Sequence, residues 1–302
     1  MHASNLRGVV AMLVAVAVFS GMDAQLKLLA AHYGPMQVAF LRGATSLPFV
    51  LLPVLARGRI ARLRVVNLRL HLVRGGIAVL MLSAFIYAVR GSSLANTYSI
   101  FMCAPLVVAA LSAPMLGERV AGAQWVAIAV GLAGVLLMLR PSGGHWVSLA
   151  SLAAAFSALC YAFAAITMRL LARTDTTESM VFWFTVILTV GAGLLSIPAW
   201  QPFEPDDWPL CVGVGVCGAI AQHFITEAFR HAPVSVVTPL EYTALVWGVV
   251  LDVAIWHVLP AATTLIGGAI VVGAGLYVIR REALQRRHVA GRGAASHRDG
   301  AG

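Results

Sequence analysis

Charged and titratable residues are scarce in this chain, and several of them interrupt apolar runs. Asp23, Gln25 and Lys27 fall within "FSGMDAQLKLLA" (19–30), straight after the apolar stretch from Val9 to Phe19. Arg42 follows in "QVAFLRG". Asp23 and Lys27 are one helical turn apart and so share a face. Such groups could form an ion pair, close a gate or hold the charged head of a small molecule. Farther on, Gln222, His223 and Glu227 crowd "QHFITEAFR". His223 and Glu227 are again one turn apart, and histidine titrates near neutral pH, which suits proton transfer. A satisfied core hydrogen bond is the competing reading. Glu241, Tyr242 and Trp247 follow in "PLEYTALVW". Tyr242, Trp247 and Tyr87 suit either cavity walls or plain packing. Glu118 lies in "LGERV", at the end of an apolar run, where an interfacial or gating role fits. Cys103, Cys160, Cys211 and Cys217 have no CxxC or zinc spacing and read as small apolar side chains. There is no HExxH, and one His with one Glu is a poor metal site. No catalytic set, metal or cofactor is expected.

The elements that position these residues are legible in composition. Of 302 residues, 60% are hydrophobic and only 11% charged. A soluble domain is nearer 45–50% apolar and about 25% charged. Mean hydropathy is +0.87. The chain reads as an all-α integral membrane protein, because it repeats apolar segments of the roughly 20 residues that a spanning helix needs. Ten spans are predicted, near 9–30, 36–56, 71–90, 97–116, 122–140, 149–171, 180–200, 208–230, 235–257 and 263–281. The first is read as a retained helix rather than a signal peptide. The net charge of +9 is almost all arginine. With both termini cytoplasmic, 17 of the 21 basic residues fall on the cytoplasmic side, as the positive-inside rule requires. The charge therefore needs no nucleic acid as a partner. The expected partners are the lipid bilayer and a small-molecule substrate, and a homodimer is left open. The tail, 282–302, is basic and poor in large apolar residues, and reads as disordered.

Depth relates the charges to one another. At 1.5 Å per residue, Asp23 lies roughly 10 Å below the outer edge of the first span and Arg42 about 9 Å below the outer edge of the second. An Asp23–Arg42 pair across the two helices is expected, with Lys27 as a second partner for Asp23. It would be either a static ion pair that specifies the fold or an outer gate and headgroup site. Gln222, His223, Glu227 and Glu241 fall in the inner half. An outer cluster and an inner cluster suit the two gates of an alternating-access carrier.

The two halves also resemble each other. "AIAVGLAGVLL" (127–137) aligns with "AIVVGAGLYVI" (269–279), "AVR" (88–90) with "AFR" (228–230), and "KLLA" (27–30) with "RLLA" (169–172), at offsets of 140 to 142. Two five-helix repeats are expected, 1–145 and 146–281. Five is odd, so the second copy must be inverted, as in many secondary transporters. Pro105 and Pro114 in the fourth span and Pro239 in the ninth predict interruptions at matching places, where freed carbonyls can line a cavity. Gly131, Gly134, Gly267, Gly268, Gly273 and Gly275 suit close helix packing.

Taken together, "MDAQLKLLA" with "QVAFLRG", "APLVVAALSAPMLGERV" with "GLAGVLLMLRP", "YAFAAITMRLLAR", and "PLEYTALVWGVVLD" with "GGAIVVGAGLYV" resemble the EamA-type transporters of the drug/metabolite transporter superfamily. The resemblance covers roughly 8–281. It implies ten transmembrane helices in two inverted five-helix repeats. It also implies secondary transport of a small metabolite, an amino acid or related compound with export favoured, across a bacterial inner membrane. Uptake by the same fold is the alternative, and a lipid-modifying membrane enzyme the more distant one. The chain departs from the family pattern at "WHVLP", where His257 stands in place of a Glu, and at Asp252, where a small residue is usual.

Overall fold

A computed structural model describes residues 3–116, 122–138, 148–171, 174–231, 238–277 and 280. Among them the regular structure is helical throughout, with no strand. In chain order α1 is Ala3–His32, α2 Pro35–Ala56, α3 Leu68–Gly91 and α4 Leu94–Phe101. Then come α5 at Ala104–Leu116, α6 at Gly122–Met138, α7 at Leu149–Leu171 and α8 at Thr177–Ser196. The last described helices are α9 at Trp208–His231, α10 at Ala244–Trp256 and α11 at Ala262–Tyr277. Six helices, α1 to α3 and α7 to α9, are long and apolar enough to cross a membrane. The others are shorter. Glu118 and the tail, 282–302, lie outside the described residues.

Two expected spans are broken. The fourth, 97–116, divides into α4 and α5 at a turn over Met102 and Cys103. Pro105 falls in the first turn of α5, where a missing N–H is tolerated. The described part of the ninth begins as a 3-10 turn, Thr238–Thr243, and becomes α10 only at Ala244. Helix starts carry local signals. Pro35 opens α2 after Gly34. The side chains of Asn67, Ser93 and Thr176 accept the N–H groups of Leu70, Asn96 and Ser179 and so cap α3, α4 and α8.

The connections gather at two ends. At one end Gln37 in α2 exchanges two hydrogen bonds with the main chain of Gln201, at 2.8 and 2.9 Å, and Tyr33 stacks on Phe203. Asn96 at the start of α4 accepts the Thr264 hydroxyl of α11 there at 3.2 Å. At the other end the arginine-rich segment between α2 and α3 is tied to the α7–α8 connection. Arg62 pairs with Glu178 at 2.8 Å, Trp183 donates to the Leu63 carbonyl at 2.9 Å, and buried His71 meets buried Asp175 at 3.0 Å.

Helices in a bilayer gain little from leaving lipid, so close packing of small residues matters more than apolar content. A Cβ on Gly134 of α6 would sit 2.9 Å from Ile270 and 3.1 Å from the Gly267 carbonyl of α11. Gly273 meets nothing within 4 Å and does not serve this contact. Of the buried apolar clusters, one gathers Met22, Leu26, Val38 and Ile86 with Leu188 and Val214. Another gathers Ile100, Leu106 and Ile128 with Ala158, Tyr242 and Val271. Each draws on both halves of the chain, so the halves interlock.

Candidate functional site

Three helices meet in a polar seam, and each contributes two residues one turn apart. Asp23 and Lys27 come from α1, Leu94 and Tyr98 from α4, and Asp252 and Trp256 from α10. Gly248 makes the meeting possible. A side chain there would place its Cβ 2.7 Å from the Tyr98 ring and 3.2 Å from the Ala95 Cα. Asp252, one turn beyond Gly248 on the same face, therefore reaches the start of α4. Its carboxylate accepts the N–H of Leu94 at 2.9 Å and of Ala95 at 2.7 Å. These are donors that a helix start leaves unpaired, and the positive end of the helix dipole favours an anion. Lys27 Nζ completes the set, 3.3 Å from Asp252 Oδ1 and 4.1 Å from the Trp256 ring centroid. The Asp252 side chain is 1% exposed and that of Lys27 13%. One turn along, Asp23 accepts the Tyr98 hydroxyl at 2.8 Å.

The expected Asp23–Arg42 ion pair is not formed. No contact within 4.0 Å links them, although Arg42 acts on Asp23 across space. Lys27 pairs with Asp252 rather than Asp23. Rotation about the helix axes, which depth does not describe, decides contact. Asp23 faces α4, whereas Arg42 shares a face of α2 with Ser46 and Val50. That face lines a cavity of about 110 Å³ between α2, α3, α8 and α9, together with Arg74, Thr185 and Gln222.

The expected His223–Glu227 pair is also replaced. His223 is exposed and sits edge-on to Phe224. Glu227 instead meets His231 one turn later, at 3.3 Å. His231 ends α9, and its Nδ1 also lies 3.0 Å from the Glu227 carbonyl. Trp247 and Tyr87 are 39% and 44% exposed and line neither the seam nor the cavity. Tyr242 is buried against α11, and its hydroxyl has no hydrogen-bond partner among the described residues. Glu241 lies in the 3-10 turn, half-buried, within electrostatic reach of Tyr161 and Tyr242. The cysteines are free, three of them buried.

Two functional candidates escaped sequence reasoning. Asp252 was visible as a lone acid in "VWGVVLDVAIW", but its partners come from α1 and α4, far away in sequence. Asp175 falls between two expected spans and was not singled out, yet it joins the two arginine-end connections. Burial pushes its carboxyl up, but hydrogen bonds from the Thr174 hydroxyl, the Val66 N–H and His71 outweigh this and hold it below the usual carboxylate range. At the opposite end His32, Glu204 and Asp207 place three potential metal ligands within 4.8 Å of one another. Two of the three residues are exposed, and Asp207 already holds His32 at 3.1 Å.

The sequence pattern of the EamA-like transporter family matches residues 6–140 and again 148–281. The pseudopaline exporter CntI of Pseudomonas aeruginosa is 28% identical over 278 residues, covering 90% of this chain and 96% of that protein. The riboflavin transporter of Vibrio cholerae is 26% identical over 286 residues, covering 93% and 96%. An S-adenosylmethionine uptake transporter of Rickettsia conorii is 22% identical over 285 residues, covering 94% and 96%. A crystal structure at 20% identity superposes with a TM-score of 0.65, covering 94% of this chain and 98% of that one.

Proposed function

The chain belongs to the EamA-like transporter family, and on that premise we propose that it is a secondary transporter. It moves a small metabolite, an amino acid or related compound, across a bacterial inner membrane by alternating access. Export is the favoured direction. The chain is a multi-pass membrane protein, and its named relatives are transporters rather than enzymes.

The observation that carries the mechanism is that both family-matched segments line one cavity. Arg42 and Arg74 come from the first, Thr185 and Gln222 from the second. Alternating access needs a site between two bodies that rock against each other. The same two segments are joined beyond the cavity by Lys27, Asp252 and the start of α4, which serve as the gate on the outer side. The arginine bias supports a cytoplasmic position for the opposite end and both termini.

Ten spans in two inverted repeats fit this reading. The turn at Met102 and the 3-10 to α-helix change at Thr243 are 141 positions apart, within the repeat offset. The α4 and α10 helices that adjoin them run antiparallel, since Leu94 meets Asp252 while Tyr98 meets Gly248. The first segment and the second, 146–281, are then the two repeats, and 282–302 a cytoplasmic tail. Asp23, Lys27 and Asp252 act at the outer gate. Glu241, Gln222 and Glu227 act in the inner half, and an interfacial gating role remains the proposal for Glu118.

Untargeted profiling of cells and medium tests this. Cells overexpressing the wild type should enrich the medium in one metabolite, and Asp252→Asn cells should not. A wild-type profile equal to that of empty vector, with the protein confirmed in the membrane, would overturn export. A metabolite enriched inside the cells would reverse the direction.

A further inference from the structure

The cavity between α2, α3, α8 and α9 has a one-sided charge. Arg42 and Arg74 line it, and among the described residues no carboxylate does. Its other polar groups are Ser46, Thr185 and Gln222, and Phe184 and Leu188 supply apolar wall. Neither guanidinium meets an acid among the described residues. Arg74 donates to the Met180 carbonyl at 2.9 Å and lies over the Phe184 ring, 4.7 Å from its centroid. Its second contact is the Met168 sulfur at 3.8 Å. Arg42 has no hydrogen bond or ion pair among the described residues, and Asp23 acts on it only from beyond 4.0 Å.

Arginine stays charged in proteins and presents a rigid fork of donors. Removing two such forks from water without anions is costly. The donors left over match carboxylate oxygens in a two-bond geometry. Arg42 is seven residues into α2 and Arg74 six residues into α3, counted from opposite ends of antiparallel helices. Helix rise then separates their Cα atoms by on the order of 13 Å along the bundle. Two side chains reaching into one cavity from those depths leave room between them for a short chain with an anionic group at each end. The cavity is larger than a single water needs.

We infer that this cavity binds a small organic dianion of the dicarboxylate class, acidic amino acids included, with one carboxylate on Arg42 and the other on Arg74. Ser46, Thr185 and Gln222 sort the substituents between them. That the dianion is also the transported solute rests on the transporter reading above. The binding itself does not.

Three four-carbon probes isolate charge from size. Succinate carries two negative charges, butyrate one, and putrescine two positive ones. Calorimetry on the full chain in lipid nanodiscs should show saturable succinate binding, butyrate weaker by about tenfold or more, and no putrescine binding. Arg42→Gln and Arg74→Gln should each weaken succinate by about tenfold, with Arg42→Lys in between. The wild-type series decides even if a variant does not fold. Equal binding of succinate and butyrate, binding of putrescine, or no binding at all would overturn the assignment. So would succinate binding that both Gln variants retain. Inorganic phosphate binding more tightly than succinate would overturn the dicarboxylate class in favour of a compact anion. Counterflow of labelled succinate in proteoliposomes separates the two readings. Binding without counterflow would sink the transporter reading and leave the site. Transport of another solute that succinate does not inhibit would leave the transporter and remove the dianion from its transport path.

Discussion

Asp252 and Lys27 are the residues on which the polar seam depends. Losing Asp252 leaves a shielded ammonium and two main-chain donors unpaired, so Asp252→Ala should cost about 3–5 kcal/mol. Lys27→Met leaves the carboxylate with its two N–H donors and should cost less. Chemical unfolding of both single variants and the double variant would show this. A coupling below about 0.5 kcal/mol would mean that the two residues do not act together. Asp175 makes a separate prediction at the arginine-rich end. Its folded carboxyl is held below the ordinary value of 3.8. The stability it supplies is therefore present above that pH and is lost as pH falls through the lower, folded value. Melting curves between about pH 5 and 3 should fall more steeply for the wild type than for Asp175→Asn. Parallel curves would remove Asp175 from the acid response.

At the scale of helices, close approach decides more than propensity does. A Leu at Gly248 would collide with Tyr98 and Ala95 and drive α10 from α4, at a cost of about 1–3 kcal/mol or more. The Lys27–Asp252 contact should be lost with it. Gly273→Ala meets open space and should leave the melting temperature unchanged or slightly higher. If both substitutions were equally tolerated, the α4–α10 contact would not be tight. His257 closes α10 with a left-handed backbone at φ 55°, and the Val258 N–H bonds back to Asp252. Glycine adopts that conformation without its Cβ cost. His257→Gly should therefore stabilise the protein by about 1 kcal/mol, and a lower melting temperature would assign the imidazole a role of its own.

Alternating access makes a prediction about the whole molecule. The two ends cannot open together, so distances across them must change in opposite senses. Spin labels at Ser92 and Leu259 report the α3–α4 and α10–α11 connections. Labels at Arg62 and Glu178 report the arginine-rich end, where those two side chains now pair at 2.8 Å. On adding a transported solute, one distance distribution should lengthen as the other shortens. Both lengthening together would indicate a channel, and neither changing would indicate a rigid binding protein.

Composition and arginine bias were enough to read a polytopic helical membrane protein, because insertion into lipid depends on local apolar length and charge. The breaks after Phe101 and before Ala244 were signalled too, since proline acts on its own turn. That Asp23 and Lys27 would need polar partners was legible too, and they have them in Tyr98 and Asp252. Which groups they touch was not. A one-residue change in azimuth turns a side chain by about 100°, and no local signal records which neighbouring helix it will face. Asp252 finds Lys27 and the start of α4 only because Gly248 lets two helices from opposite halves of the chain close on each other. Arg42 turns from Asp23 to the cavity for the same kind of reason. Local chemistry set which residues could act, and helix packing alone chose their partners.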